Sequence, residues 1–228
     1  MTVLQQPNSP PSPFDYHPPT EPWLTTLHID SDILVLAKQS GLLCVPGKPE
    51  HHRDCLEERA RARYPQARVV HRLDRETSGV LIMAMNAKAQ RHLGLQFERR
   101  KVRKTYVAIV SGCVAENSGV IALPLATDWP NRPKQMVDRK RGREALTEWK
   151  VIAREPDATR LRLFPLTGRS HQLRVHLRSI GHPIHGDSFY AEGKALAAAD
   201  RLQLHAETIS FHHPADGRIV TFADECPF

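Results

Sequence analysis

The chain has 228 residues, of which 40% are hydrophobic and 25% charged, and its formal net charge at pH 7 is +7. This composition is ordinary for a globular protein, and the length suits one domain rather than two. No apolar run approaches the roughly 20 residues needed to cross a bilayer, so no membrane span is predicted. The cysteines form no CxxC pair, which argues against a disulfide framework or zinc site and favours a reducing cytoplasm. They are Cys44, Cys55, Cys113 and Cys226.

The first 20 residues, MTVLQQPNSPPSPFDYHPPT, are rich in proline and serine. They have neither the basic start nor the apolar stretch of a signal peptide. We therefore predict a disordered tail over residues 1–20, followed by one domain over residues 21–228.

Strands outnumber helices in the remaining sequence and lie in adjacent runs. Helices are predicted over 54–64 with Asp54 as N-cap, over 87–99, and over 170–181. The strands are predicted at 24–30, 32–38, 80–85, 104–112, 119–126, 145–153, 159–166, 202–211 and 218–223. In 80–85 every position is apolar, so both faces of that strand are expected to be covered. The pattern predicts an α+β fold with a mixed, mostly antiparallel sheet flanked by helices.

The excess positive charge is concentrated in two segments, ERRKVRK at 98–104 and DRKRGRE at 138–144. A polyanion is the natural partner of such clusters, because each phosphate that is neutralised releases counterions. A solvated basic face is an equal alternative for either cluster alone. The two together favour nucleic acid.

A charged loop, HRLDRETSG at 71–79, lies between two apolar segments. A loop between strands can present Asp74 from a fixed scaffold, and Gly79 permits a turn that other residues resist. In the alternative reading, Asp74 is a turn residue that pairs with Arg72 or Arg75.

The helix at 170–181 carries a second group of polar residues. His171, Arg174 and Arg178 are spaced at i, i+3 and i+7, away from the buried stripe formed by Leu173, Leu177 and Ile180. Because Arg174 follows the apolar Leu173, its guanidinium is expected near the core, where it needs a carboxylate. Asp74 is the best candidate, although an arginine-rich solvated face remains the alternative reading.

Four further sequence segments extend the pattern. HRLDRETSG resembles the signature loop of the RluA-type RNA pseudouridine synthases, as do KQSGLLCVPG at 38–47, RKTYVAIVSG at 103–112 and LTGRSHQLRVHLRSIGHPIHGDSFY at 166–190. LATDWPNRPKQMV at 125–137 resembles the branch that modifies both large-subunit ribosomal RNA and tRNA. The chain departs from the family at Gln39, where proline is usual, and fills variable loop positions with Arg75 and Glu76.

The resemblance implies a single pseudouridine-synthase-like catalytic domain without an S4-type RNA-binding domain. It implies an isomerase acting on uridines in stem-loops of 23S rRNA and tRNA, including the anticodon stem-loop, with no cofactor and no metal. A monomer in the cytoplasm is the default expectation. Asp74 corresponds to the essential carboxylate, Tyr106 to the residue that stacks under the target base, and Arg174 to the arginine that pairs with the aspartate. The residues expected to bind RNA are His71, Arg72, Arg99, Arg100, Lys101, Arg103, Lys104, Trp129, Asn131, Arg132, Arg169 and His171.

Three other functions share features with this pattern. HRLD is similar to the kinase loop H-R-D, but Leu73 intervenes and no glycine-rich loop or D-F-G follows, which excludes a kinase. A base-releasing N-glycosidase would use a similar aspartate and would leave free uracil. A non-catalytic RNA-binding module would keep its function when Asp74 is changed to Asn.

Overall fold

The computed structural model describes residues 16–228. Its strands are β1 (Thr25–Ile29), β2 (Ile33–Lys38), β3 (Arg68–Val69), β4 (Ser78–Ala84), β5 (Arg103–Ser111), β6 (Ser118–Ala122), β7 (Leu125–Thr127), β8 (Gln135–Val137), β9 (Leu146–Glu155), β10 (Ala158–Pro165), β11 (Leu204–His212) and β12 (Ile219–Ala223). Its α-helices are α1 (Leu56–Arg63), α2 (Ala87–Glu98), α3 (Gln172–Ser179) and α4 (Gly193–Ala197).

The main sheet has the strand order β1-β2-β4-β11-β5-β10-β9-β6. Strand β3 adds to β4, β12 adds to β11, and β7 and β8 form a separate two-stranded sheet. The β4–β11 pair is parallel, and the other described pairs are antiparallel. The predicted α+β class with a mixed, mostly antiparallel sheet is confirmed.

Strands β2 and β4 are covered on both faces, which the continuous apolar sequence at 80–85 predicted for β4. Ile33 and Val35 pack with Leu93 of α2, whereas the alternate residues of β2 pack with α1 on the opposite face. All seven residues of β4 are buried. Helix α3 covers the other half of the sheet through Leu173 and Leu177. The packing of α1 and α2 therefore holds β4 in place, and the packing of α3 against the sheet holds that helix in place. These two elements flank the charged loop.

The sheet order brings three distant segments side by side. Ala206 of β11 is paired with Gly79 on one side and with Tyr106 of β5 on the other. Strands lie about 4.8 Å apart, so Tyr106 is about 10 Å from the start of β4. The loop that carries Asp74 leads directly into β4 and thus opens toward Tyr106.

Three details of the sequence prediction are wrong. The N-cap of α1 is Cys55, because both oxygens of Asp54 accept hydrogen bonds from the buried Arg59 at 2.6 Å. Ile180 does not belong to the buried stripe, since it is the C-cap of α3 and is 36% exposed. The tail prediction extends too far, because Tyr16 is buried and its hydroxyl donates to the Asp54 carbonyl at 2.7 Å.

Residues 1–15 of the predicted tail lie outside the described residues. Among residues 16–228, no helix combines the length and the apolar composition required to cross a membrane.

Gly79 is required where β4 meets β11. Its φ is +117°, and a Cβ at this position would overlap the backbone of Ala206. We expect Gly79→Ala to lower the free energy of unfolding by at least about 3 kcal/mol, because backbone strain and overlap act together. Urea unfolding measures the effect.

Gly94→Ala is the matched control, since nothing lies within 4 Å of a Cβ built at this position of α2. That change should stabilise the protein by about 0.5–1 kcal/mol through helix propensity. Equal stability of the two variants would contradict the tight β4–β11 approach.

Candidate active site

The loop that carries Asp74 is held from below by a buried lysine. The Lys38 Nζ donates to the carbonyls of Gln39 at 2.7 Å, Leu42 at 2.6 Å and Arg75 at 2.7 Å. Burial lowers the pKa of Lys38 to about 8, against the charges of nearby acidic groups, which raise it. The amide of Thr77 also donates to the Asp74 carbonyl at 3.1 Å and closes the turn. The loop is therefore rigid on the side that faces the core.

Arg174 connects Asp74 to a second, fully buried carboxylate. Its Nη1 lies 3.6 Å from Oδ2 of Asp74, while Nε and Nη2 donate to the two oxygens of Asp187 at 2.8 and 2.6 Å. Asp74 keeps 28% of its side chain exposed, whereas Arg174 keeps 2% and Asp187 none. Burial opposes the charge of Arg174, but the hydrogen bonds and negative charge of Asp187, together with Asp74, raise its pKa. The guanidinium is a fixed positive charge beneath the carboxylate.

Two aromatic rings enclose this guanidinium. Its carbon lies 5.0 Å from the ring centre of Phe189 and 5.2 Å from that of Tyr190. The Tyr190 hydroxyl accepts a hydrogen bond from the backbone amide of Gln135 at 2.7 Å and lies 2.6 Å from Nδ1 of His171. Tyr190 thus connects the arginine site to the β7–β8 hairpin.

Asp74 and Tyr106 line the same cleft, which has a volume of about 400 Å³. Burial, followed by the charge of Asp74, raises the pKa of Tyr106. The phenol is therefore neutral at physiological pH. Lys104, Arg169 and His171 also line the cleft, whose walls thus come from the charged loop, β5 and the segment leading into α3.

His171 lies just before α3 rather than on the predicted helix face. It is the N-cap residue in a left-handed conformation with φ of 52°. Burial lowers its pKa. Arg178, predicted to share a face with Arg174, is exposed, whereas Arg174 is buried.

His71 has a structural contact that the sequence did not indicate. Its Nε2 accepts a hydrogen bond from the Ile82 amide at 3.0 Å, and its ring stacks on Phe97 with centroids 4.6 Å apart. Burial, with the charge of Lys104, lowers its pKa to about 3. His71 is therefore a neutral imidazole at physiological pH, and since it lines the cleft, its contact with RNA stays a prediction.

Some of the other predicted RNA-binding residues lie at two neighbouring openings. A second opening of about 600 Å³ shares Arg169 and Ser170 with the first, and Trp129, Arg141 and Arg143 line it. Trp129 is 67% exposed and lies 4.8 Å below the Arg132 guanidinium. Arg72 lines the first opening and is exposed. The remaining predicted residues are exposed but do not line either opening: Arg99, Arg100, Lys101, Arg103, Asn131 and Arg132.

Contacts of Glu144 bring Arg100, from the basic segment 98–104, close to Arg169 of the cleft. The Glu144 carboxylate lies 3.0 Å from Arg100, and its carbonyl accepts from Nε of Arg169 at 3.0 Å. Asn131 instead bonds to Asp128 at 2.9 Å within the turn after β7. The structure thus brings Arg100 and Arg169 together, although 69 positions separate them in the sequence.

Sequence reasoning did not single out Lys38, Asp187 or Tyr190. All three lie in segments that carried the family resemblance, at 38–47 and 166–190. Asp187 follows Gly186 in a loop, where an acidic residue usually indicates a solvated turn. Within the described part of the chain, no group of three or more His, Cys, Asp or Glu residues is arranged to hold a metal.

A carboxylate paired with a buried arginine, in a cleft that also contains a tyrosine and several cations, suits an enzyme that acts on a polyanion. Residues 32–179 match the family described as RNA pseudouridylate synthase. The chain is a member of this family.

Two curated relatives carry the name Dual-specificity RNA pseudouridine synthase RluA. The Salmonella typhi protein is 51% identical over 91% of this chain and 95% of its own length. The Escherichia coli K12 protein is 50% identical over 94% of this chain and 98% of its own. Among solved structures, Human RNA Pseudouridylate Synthase Domain Containing 1 is 28% identical with a TM-score of 0.76, and the match covers 90% of this chain and 84% of the human chain.

The buried pair between Arg174 and Asp187 predicts a large effect on stability. Asp187→Ala leaves a buried guanidinium with only the more distant Asp74, so the free energy of unfolding should fall by about 3–5 kcal/mol. Urea unfolding measures this change. Asp216→Asn, which removes the exposed charge beside Arg218 but keeps an oxygen that accepts from the Arg218 backbone amide, should leave stability almost unchanged. Similar losses in both variants would exclude a special role for the buried pair.

The contacts of His71 predict a pH dependence of stability. Below its ordinary pKa of 6.5 the imidazole binds a proton in the unfolded state, but in the folded state it does so only near pH 3. The free energy of unfolding therefore falls as pH decreases through this window. His71→Gln should make that fall shallower by up to about 1.4 kcal/mol per pH unit.

Chemical unfolding at several pH values between 6.5 and 3 tests this expectation. His51→Gln changes an exposed histidine and should keep the wild-type slope. If His71→Gln also keeps that slope, the neutral, hydrogen-bonded state of His71 is refuted.

Proposed function

We propose that this chain isomerises uridine to pseudouridine in RNA and that Asp74 is its essential carboxylate. The observation that carries the proposal is the position of Asp74 in the cleft, 3.6 Å from the buried Arg174. Tyr106 lines the same cleft, with openings bordered by arginines. These features supply a carboxylate, a surface for a base and a path for a polyanion.

The reaction needs no redox step. The N1–C1′ bond of the uridine breaks, the base turns, and C5 bonds to C1′. A proton leaves C5 and a proton is bound at N1, so atoms and charge balance without any added reagent. The chemistry therefore requires carboxylate and proton-transfer groups rather than a redox cofactor.

Asp74 acts in its ionised form in each route open to it. It attacks C1′, adds to the base, or removes the ribose 2′ proton, as carboxylates do in glycosidic chemistry. Arg174 supports the ionised form through its permanent charge. Asp187 holds this arginine in place and acts as a positioning residue.

Tyr106 is proposed to lie under the target base and to assist transfer of the C5 proton. Its aromatic face suits stacking on a base that has left its helix. Because burial and the charge of Asp74 raise the pKa of the phenol, its hydroxyl keeps its proton until a basic group comes close.

A uridine in a folded stem-loop must leave its stack before its sugar reaches Asp74. Arg72 is exposed beside the catalytic loop and is proposed to occupy the space that the base vacates. The basic side chains around the cleft are proposed to bind the RNA backbone, together with Trp129 in the second opening. Such contacts weaken as salt increases.

The proposed substrates are uridines in stem-loops of 23S rRNA and of tRNA, including the anticodon stem-loop. The names of the curated relatives, which describe dual-specificity RNA pseudouridine synthases, support this proposal. We further propose a monomer in the cytoplasm. The four cysteines are free, as expected of a reducing compartment, and the proposed catalytic residues come from one chain.

Release of tritium from RNA that carries 5-tritiated uridine tests the proposal. The wild-type protein should release tritium from a tRNA anticodon stem-loop and from a large-subunit rRNA hairpin. Asp74→Asn should lower release from both by at least about 10³-fold while binding is retained, because the amide cannot act as a nucleophile or base.

Glu76→Gln is the control, because Glu76 lies in the same loop and pairs with Arg75. It should keep most of the activity. Full activity of Asp74→Asn would favour the non-catalytic RNA-binding module, and free uracil among the products would indicate an N-glycosidase.

A further inference from the structure

The catalytic cleft contains a partly buried cation, Lys104, that has no anionic partner within residues 16–228. Its side chain makes no hydrogen bond and no ion pair with any residue in the range 16–228. The other partly buried cations of the cleft differ. Arg174 is bound by two carboxylates, Arg75 pairs with Glu76, and Arg169 donates to the Glu144 carbonyl.

The position of the ammonium follows from β5. Alternate residues of a strand share a face, so Lys104 and Tyr106 both point into the cleft with Cα atoms about 7 Å apart. Arg103 lies on the opposite face and is exposed. On the other side of the cleft, Nζ of Lys104 lies 3.7 Å from where a Cβ at Gly168 would stand. Since Gly168 is exposed, the ammonium lies near the opening.

This placement is unfavourable in the free protein. Burial lowers the pKa of Lys104, which means that its charged form loses hydration without gaining a partner. The neighbouring His71 is not a partner for this charge, because a protonated imidazole would be a second cation, and burial and the charge of Lys104 lower its pKa to about 3. An anion that enters the cleft would restore the lost interaction.

The substrate class determines which anion this is. The uracil base and the ribose are neutral, so the phosphates are the full negative charges that RNA carries. A lysine ammonium binds phosphate as a point charge. The separation of about 7 Å between Lys104 and Tyr106 suits a nucleotide whose base lies on the ring while its backbone passes the lysine.

We propose that Lys104 binds a phosphate flanking the target uridine within the catalytic cleft. This inference rests on the proposed function and deepens it, because it assigns one backbone contact to the reacting nucleotide rather than to the surrounding RNA. Lys104 therefore positions the sugar for Asp74, whereas the exposed cations of residues 99–103 hold the stem.

The test combines a protein change with a single neutral linkage in the RNA. Lys104→Met keeps most of the side-chain length and removes the charge. Stem-loops are prepared with one methylphosphonate either 5′ or 3′ of the target uridine, and kcat, KM and equilibrium affinity are measured. On unmodified RNA, Lys104→Met should lower kcat/KM about tenfold or more.

The two changes should not be additive if they remove the same contact. With the neutral linkage at the contacted position, Lys104→Met and the wild type should differ less than twofold, and Lys104→Arg should recover part of the activity on unmodified RNA. Arg103→Met is the matched control, because any loss it causes should be equal on all three RNAs. Thermal unfolding confirms that the variants are folded.

Additive losses at both neutral linkages would overturn the proposal and assign Lys104 to the base or to packing. Unchanged kinetics and affinity of Lys104→Met would overturn it as well. If the wild type binds the RNAs but releases no tritium, the proposed function fails. The affinities of the wild type and of Lys104→Met for the unmodified and the neutral-linkage RNAs then still decide whether Lys104 contacts the phosphate.

Discussion

The site depends on a chain of three charged groups, Asp187, Arg174 and Asp74. A guanidinium this deeply buried is stable only if its donors are satisfied. Asp187 binds two of its nitrogens at 2.6 and 2.8 Å, which leaves the third toward Asp74 at 3.6 Å. The fully buried carboxylate thus fixes the arginine, and the arginine fixes the environment of the partly exposed carboxylate. One carboxylate has a structural role and the other is available to a substrate.

The rest of the fold holds Asp74 and Arg174 in place. Asp74 lies on the loop before β4, which is paired in parallel with β11. Lys38 binds three carbonyls beneath that loop. Arg174 lies on α3, which packs on the opposite half of the sheet through Leu173 and Leu177. The helices on each half of the sheet therefore determine the distance across the cleft.

Local sequence patterns predicted the elements well, because burial follows periodicity. The continuous apolar stretch of β4 is buried throughout, and Leu173 and Leu177 of the predicted α3 stripe pack in the core, whereas Ile180 of that stripe is exposed. Errors arose where another residue binds the side chain. Asp54 binds Arg59 of α1 itself instead of capping this helix, and His71 accepts a hydrogen bond from the Ile82 backbone amide, between the segments of β4 that pair with β11 and β3. Such competition depends on side-chain contacts that the hydrophobic periodicity does not contain.

By itself, the sequence determined the α+β class, the basic character of the protein and the segments that carry Asp74, Tyr106 and Arg174, because these follow from periodicity, composition and motif. It also suggested the pairing of Asp74 with Arg174, from the rule that a buried guanidinium needs a carboxylate. Only the tertiary structure decided that Asp187 binds two of the three guanidinium nitrogens and that Lys104 lies in the cleft without a partner among the described residues. These are properties of contacts between segments far apart in the chain, and the sheet order creates them by placing β11 between β4 and β5.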